Sequence, residues 1–373
     1  MKESLDYLSG DWKLSIYKKI RRIGKLIVKR KQYLNRIEEQ LREQLPYSPA
    51  KDQIKWCYWD FFKYTVKYNA ELDLDYFYSG IFRKSELVRQ ESFANRKRFA
   101  WRDSIQEKSQ WSYFIDKSLF YKKYNNYLGR DYICADQTMT FEVFSDFVKK
   151  YNGDVFAKVP VSCGGKDVYH WKIITDDDMQ KKYEEACQNS MIIEEKLTQT
   201  KEIAEFSPIS VNTMRIITII DDSGNVKVAN AFFRIGNGNS IDNFSSGGII
   251  TKVDIDSGII CVPAVDRNGN QYIVHPISGK QIVGFKIPNW QLYIEFAVKL
   301  AEECKGMRYV GWDIIMRNDG RMCCIEGNKD AGVQAESINN YGYIPLYEAI
   351  LHNDKSFDFN RYGGSYNTII GKD

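Results

Sequence analysis

The sequence reads as an α+β protein: a helical, basic N-terminal region of about 112 residues ahead of a mixed body. Three features lead there. Ile16, Ile20, Ile23, Ile27 and Leu34 recur at helical spacing near the start. From Tyr113 onward, short β-like runs alternate with helical ones. Two pairs of those runs flank the turn signals Asp222-Ser223-Gly224-Asn225 and Asn318-Asp319-Gly320, which mark hairpins.

The elements follow in order. Around the first helix lie Lys13, Lys18, Lys19, Arg21, Arg22, Lys25, Lys29, Arg30 and Lys31, with almost no acid. Such a helix either packs on the body with a solvated charged face or lies on an anionic membrane surface. Pro46 and Pro49 close this segment. A Trp- and Tyr-rich helix is expected over residues 52–68 and a third charged helical stretch up to about residue 102. In the body, helices are expected over 116–127, 140–151 with Thr140 as cap, 176–189 and 290–305. Strands are expected over 155–161, 168–174, 191–197, 211–220, 225–235, 310–317 and 321–326. Beyond about residue 351 the chain is polar and expected to be loose.

Composition excludes several classes. With 373 residues and 43% apolar content, the chain can build a real core in two or three structural units. A formal net charge of only +4 provides no global field for dedicated nucleic-acid binding. The eight cysteines include no Cys-x-x-Cys and read mostly as buried small residues in a reducing compartment. Three scattered histidines, His170, His275 and His352, speak against a zinc centre or a histidine-driven nucleophile. There is no apolar run of membrane-spanning length and no signal-peptide pattern, so a cytoplasmic location is expected, with the basic helix as the one feature suited to the inner face of a membrane.

Three groups of residues carry chemistry. If Asp319-Gly320 is a two-residue turn, Asn318 faces Arg321, and counting back along both strands sets Asp313 opposite Glu326 with Asn328 on the same face. Facing carboxylates repel. A divalent cation between them reverses the sign, and two carboxylates with an amide suit Mg²⁺ shared with phosphates. The bland alternative is an exposed polar hairpin. Val310, Trp312, Ile314, Ile315 and Ile325 argue instead for buried strands, where an unpaired acid is costly.

In the second group, Lys158 ends a strand ahead of Ser162-Cys163-Gly164-Gly165-Lys166. Backbone N–H groups of such a loop can cradle phosphate oxygens while lysine supplies charge, although Gly-Gly here also suits a plain turn. If Ser223-Gly224 is the turn, Thr213 faces Arg234, and Arg215 is its diagonal neighbour on one face. Two guanidinium groups there repel unless an anion bridges them; each could otherwise pair with an acid such as Asp242 or Glu205. Asn243 and Gly247-Gly248 follow in a loop able to close over the same place. The third and weakest group is the strand ending in Glu194-Glu195-Lys196-Leu197. Its backbone could meet an adenine edge and a carboxylate could accept from the adenine amine.

The order and spacing of these pieces resemble the ATP-grasp superfamily, and within it the proteins associated with sugar transfer and surface-polysaccharide gene clusters. The phrases that carry the resemblance run from Asp116-Lys117-Ser118-Leu119-Phe120 through Ala157-Lys158 and Ile193-Glu194-Glu195-Lys196-Leu197 to Ser210-Val211-Asn212-Thr213-Met214-Arg215 and Phe233-Arg234. They continue with Asp242-Asn243, His275-Pro276, Ile287-Pro288-Asn289-Trp290, Val310-Gly311-Trp312-Asp313 and Ile325-Glu326-Gly327-Asn328, and together span residues 113–350. The resemblance implies two α+β subdomains, 113–197 and 198–350, gripping ATP, with 162–167 as a lid and 351–373 as a tail. It implies Lys117 and Lys158 on the phosphates, Ser162, Gly164, Gly165 and Lys166 in the lid, Glu194 to Leu197 on the adenine and Asn243 close to the nucleotide. Arg215 and Arg234 would be the catalytic pair on the transferring γ-phosphoryl group, and Asp313, Glu326 and Asn328 would bind two Mg²⁺ ions. Asp167 stands where many members carry another glycine, and the usual N-terminal βαβ domain is not evident. Glu202 and Glu205 both stay open as the ribose-binding acid.

The activity so implied is ATP-dependent carboxylate–amine ligation through an acyl phosphate. The substrates would be an acidic sugar or sugar nucleotide and an amino acid or small amine, in capsule or O-antigen polysaccharide biosynthesis. Two rivals use the same grip: a small-molecule kinase acting on a hydroxyl, and a non-catalytic nucleotide-binding scaffold. No nucleic-acid partner is expected, and a homodimer is neither marked nor excluded.

Overall fold

The structure, a computed structural model, describes residues 16–45, 47–68, 70–136, 138–161, 167–238, 244, 247–331 and 338–362. The N-terminal region is helical as expected. Helices α1 (Ile16–Val28), α2 (Arg30–Gln44) and α3 (Lys51–Tyr68) enclose a core that includes Leu26, Ile37, Leu41, Tyr58 and Phe61. Ser85 caps α4 (Glu86–Glu91) by accepting from the Val88 N–H, and α5 (Asn95–Ile105) follows. Here the region stops being a separate body. Phe93 and Trp101 bury against the large sheet described below. No helix among the described residues is long and apolar enough to cross a membrane.

A four-stranded antiparallel sheet comes next, built from β1 (Tyr132–Cys134), β2 (Asp154–Lys158), β3 (Val168–Lys172) and β4 (Ile192–Glu195) in the order β1-β4-β2-β3. Three helices in this stretch of chain start at capping side chains, which satisfy the free N–H groups of a helix end. Asp116 accepts from the N–H groups of Ser118 and Leu119 at α6 (Lys117–Lys123), Thr140 from Val143 at α7 (Phe141–Lys150), and Thr175 from Asp178 at α8 (Asp176–Gln188). Phe144, Val148 and Met179 from α7 and α8 pack on Val155, Ala157, Trp171 and Ile193 of the sheet. Strand β1, three residues long, is too short to carry a periodic signal in the sequence.

The second sheet has seven antiparallel strands: β5 (Thr213–Ile220), β6 (Val226–Ile235), β7 (Ile249–Lys252), β8 (Ala264–Val265), β9 (Gln271–Tyr272), β10 (Tyr309–Met316) and β11 (Met322–Asn328), ordered β11-β10-β5-β6-β7-β8-β9. Helix α9 (Trp290–Glu302) lays Trp290, Tyr293, Ala297 and Leu300 over one face, against Met214, Ile216, Phe233 and Trp312. The other face carries Ile217, Ile219 and Phe232 under Trp101 and α10 (Ile344–Leu351). Phe359 and Tyr362 are buried in that same cluster, so the expectation of a loose chain beyond residue 351 fails as far as Tyr362: two aromatic anchors offset its polar composition. Four described cysteines are buried, Cys57, Cys304, Cys323 and Cys324, whereas Cys187 and Cys261 are exposed.

Both hairpin turns differ from expectation. The Arg317 N–H donates to the Arg321 carbonyl at 2.9 Å and the Gly320 N–H to the Arg317 carbonyl at 3.0 Å, so the loop is the three-residue Asn318-Asp319-Gly320. Asp222-Ser223-Gly224 is built the same way between Asp221 and Asn225. Gly320 and Gly224 both have φ of 83°, the left-handed closing position of such loops. A three-residue loop slips the ladder by one. Each hairpin regains register at a bulge, between Asp313 and Ile314 in one and between Ile217 and Thr218 in the other. Asp313 therefore faces Glu326 and Thr213 faces Arg234, through a turn and a bulge that cancel.

Candidate functional site

One registered row crosses five strands, Glu326, Asp313, Arg215, Phe232 and Lys252, so these side chains start from the same face of the large sheet. Asp313 is buried between two guanidinium groups. Arg215 grips it with a two-pronged contact, Nε to Oδ1 and Nη2 to Oδ2, the latter at 2.8 Å. Arg234 Nη1 donates to Oδ2 at 2.8 Å. Burial works against the charge on Asp313, but Arg215 and Arg234 outweigh it and hold the carboxyl down at about 2. The two arginines of the expected phosphate group thus join the acids of the expected metal group in one cluster, and the anion that bridges the arginines is Asp313.

Two expectations change as a result. Glu205 pairs with Lys280 at 2.6 Å rather than with either arginine, and Asp242 lies outside the described residues. The facing acids also have compensation within the protein, since the Asn328 amide donates to Glu326 Oε1 at 3.1 Å while the arginines hold Asp313. The donor chemistry still fits a hard divalent cation: two carboxylates and an amide on one strand pair. Among the described residues no cluster of three or more His, Cys, Asp or Glu could hold a metal ion, so a cation at this place would depend on oxygens brought by a ligand.

Beside Glu326 opens a cavity of about 570 Å³, lined in part by Tyr113, Lys117, Val161, Glu326, Asn328 and Lys329. Lys117 reaches it as the first residue of α6, whose start is fixed twice, by the Asp116 cap and by the Lys117 N–H donating to the Pro160 carbonyl at 2.9 Å. Val161 leads directly into residues 162–166. Ser162, Gly164, Gly165, Lys166 and Asn243 lie outside the described residues. Asp167 has φ of 60°, the left-handed region that glycine favours and that Asp tolerates better than most residues, so the substitution keeps the backbone shape a glycine would adopt.

At the end of β4 the two carboxylates already have partners within the protein. The Glu194 carboxylate is buried and pairs with Lys158, while accepting from Arg130 Nε at 2.7 Å and the Tyr121 hydroxyl at 2.6 Å. Burial opposes its charge, Arg130 and Lys158 overcome it, and the carboxyl sits at about 2. Glu195 is held by Arg317 and accepts from the Asp131 N–H at 3.1 Å, and Lys196 pairs with Asp154 at 2.9 Å. Both carboxylates are buried and paired within the protein. Beyond the end of β4, Lys196 is exposed and Leu197 half-buried. Lys158 is likewise engaged with Glu194 rather than extended alone toward a phosphate.

Arg130 escaped the sequence reading. Its side chain is fully buried, and besides Glu194 it donates to the Cys324 carbonyl at 2.8 Å and the Ile325 carbonyl at 3.2 Å. Ile325 is the extra residue of the β11 bulge, so one guanidinium ties the small sheet to the turn of chain that sets Glu326. A single arginine between Gly129 and Asp131 has no local pattern that would single it out.

Comparison with known proteins adds a family. A profile of sugar-transfer associated ATP-grasp proteins matches residues 101–351. No functionally curated protein matches the chain. Solved structures with partial likeness include the ATP-grasp ligase PsnB with a precursor variant, Mg and ADP, at 15% identity, TM-score 0.40, and coverage of 68% of this chain and 65% of that one. Another is the D-alanine-D-alanine ligase from Coxiella burnetii, at 10% identity, TM-score 0.39, and coverage of 65% and 55%. A third is N5-carboxyaminoimidazole ribonucleotide synthetase from Thermotoga maritima, at 10% identity, TM-score 0.37, and coverage of 62% and 47%. The chain thus spans between about half and two thirds of the length of these proteins.

Proposed function

The chain belongs to the sugar-transfer associated ATP-grasp family, and on that premise we propose that it is an ATP- and Mg²⁺-dependent ligase joining a carboxylate to an amine. The observation that carries the reading is the Glu326–Asp313–Arg215 row with Arg234, set beside a cavity that also receives Lys117 and Asn328. Asp313, Glu326 and Asn328 would hold Mg²⁺ jointly with the triphosphate, and the bound ions would neutralise the β- and γ-phosphate oxygens.

The residues of the chain account for the remainder. Lys117, at the N-terminal end of α6, would place its ammonium on a phosphate oxygen. Arg215 and Arg234 are preorganised by Asp313 and would turn part of their donor set to the transferring phosphoryl group, where a fixed guanidinium needs no reorganisation. No histidine is among the described residues lining the cavity, and an ionised substrate carboxylate attacking phosphorus needs no general base. The resulting acyl phosphate would be captured by the amine with loss of inorganic phosphate. Residues 162–167, acting as a lid, would exclude the water that competes with the amine. The family's association with sugar transfer favours an acidic sugar or sugar nucleotide as the carboxylate and an amino acid or small amine as its partner, in surface-polysaccharide synthesis.

The test is a screen of uronic-acid sugar nucleotides against amines with MgATP, following phosphate release and the mass of the product, with hydroxylamine added to trap the acyl phosphate as a hydroxamate. Phosphate release that depends on both substrates is expected, and Glu326→Gln should lower it by about 100-fold or more. A phosphorylated hydroxyl with no need for amine would make the protein a kinase. Absence of any nucleotide turnover across the screen would point to a scaffold.

A further inference from the structure

We propose that α1, the corner at residues 28–31 and the outer face of α3 form a docking surface for an anionic lipid bilayer. This stands apart from the nucleotide cavity and does not depend on the ligase reading. Helix α1 is seated on α3 by one side only: Leu26 is buried, its carbonyl accepts from the Tyr58 hydroxyl at 3.0 Å, and Arg22 donates to the Thr65 carbonyl at 3.2 Å. On the opposite side, Ile20 and Ile27 are two turns apart on one stripe, 61% and 57% exposed, and Val28 beside them is 85% exposed. A methyl group built on Gly24, within the same stripe, would meet nothing within 4 Å. A helix whose only task is to pack on the body turns its aliphatic residues inward; this one turns three outward.

Two more features adjoin the stripe. Trp56 and Trp59 are about half exposed on α3, and the Arg30 guanidinium lies 5.7 Å from the Trp59 ring centre, which joins that face to the 28–31 corner. Tryptophan, apolar in body with one polar N–H, suits the boundary between headgroups and acyl chains. Arg21, Lys25, Lys29, Arg30 and Lys31 are all exposed, and none has an acidic partner among the described residues. Residues 13–31 carry nine Lys and Arg and no Asp or Glu, in a chain whose net charge is only +4. Cations without acids select an anionic partner. Aliphatic and indole groups interleaved with them select one that offers an apolar layer beneath its charge, which a lipid bilayer does and a nucleic acid does not.

The experiment is sedimentation of the full chain with phosphatidylcholine vesicles that contain or lack phosphatidylglycerol. Binding should require phosphatidylglycerol and collapse at about 1 M salt, where the screening length is about 3 Å. Lys25→Glu with Lys29→Glu and Lys31→Glu should weaken partition by about 100-fold or more. Ile27→Ser with Val28→Ser and Trp59→Ser should weaken it by about tenfold or more with the charge intact. These side chains are exposed, so unchanged melting curves are expected and would confirm that each variant is folded. The proposal is overturned if the full chain does not pellet with phosphatidylglycerol vesicles, or if charge reversal leaves partition unaltered. It also fails if the apolar triple variant binds as well as the parent, which would make this a polyanion surface, or if light scattering shows the face buried in a dimer that ignores vesicles.

Discussion

At Asp313 two carboxylate oxygens receive three guanidinium N–H groups, and this is how a buried acid survives directly across a ladder from Glu326. The residue types at this place were legible in the sequence, and so was the shared face within each pair, Asp313 with Glu326 and Arg215 with Arg234. Their partners were not, because pairing depends on which side chain reaches which across strands far apart in the chain. Simple removal of Asp313 is therefore no clean test of metal binding. Asp313→Ala leaves Arg215 and Arg234 close together without their shared anion. Breaking a buried pair in this way should cost about 3–5 kcal/mol, read as a lower urea midpoint, with the loss of turnover following partly from that. A midpoint equal to the parent's would mean the two arginines do not rely on Asp313. Glu326, whose described partner is the neutral Asn328 amide, is the better probe of the proposed cation site.

The elements show why Gly327 stands between two polar site residues. Glu326 and Asn328 face the row of acids and arginines, so residue 327 faces the other way, toward Trp312. A Cβ there would lie 2.8 Å from both Phe114 and Trp312 ring atoms and 3.0 Å from Phe120. Gly327→Ala should overpack this cluster by about 1–3 kcal/mol in thermal or urea unfolding and displace both flanking side chains, so turnover should fall further than stability alone explains. Gly320→Ala is the control: a Cβ there meets nothing within 4 Å, and only the φ of 83° opposes it, for about 1 kcal/mol with turnover kept in the folded fraction. If both variants behave alike, crowding at residue 327 is not what holds β11. The same hairpins also show how a sequence count can succeed with an incomplete account. Dipeptides such as Asp319-Gly320 announce a turn but not its length, and a bulge has no signature of its own, so two single-residue slips cancelled unseen.

For the whole molecule, buried ion pairs join the two sheets. Arg130 links Glu194 to the Cys324 and Ile325 carbonyls, and Arg317, which directly follows β10, holds Glu195 of β4. Their pH dependence has a definite sign. Glu194 and Asp313 both have folded-state values of about 2, below the ordinary carboxylate range near 4. Their stabilisation is complete above the unfolded value and is lost as pH falls from about 4 through about 2, at about 1.4 kcal/mol for each unit of difference. Urea midpoints should be flat from pH 7 to 5 on account of these groups and drop steeply below about pH 4. Glu194→Gln should flatten the acid limb while lowering the midpoint at neutral pH, since Arg130 and Lys158 lose their counter-ion. An acid limb unchanged in that variant would remove Glu194 from the explanation.

Short-range physics was sufficient for a good part of this protein. Alternating and helical periodicities located the expected strands and helices of the body to within a few residues, capping residues such as Thr140 marked helix starts, and the ordered acidic, basic and glycine-bearing phrases identified the ATP-grasp family. These signals persist in one dimension because neighbouring residues generate them. The merging of acids and arginines into one cluster, the inward turn of Glu194 and Glu195, the reach of Arg130 and the anchoring of Phe359 and Tyr362 were all settled in three dimensions. A buried charge takes whichever opposite charge the packing brings within hydrogen-bond reach, and that partner lay 64 residues away for Arg130 and 122 for Glu195.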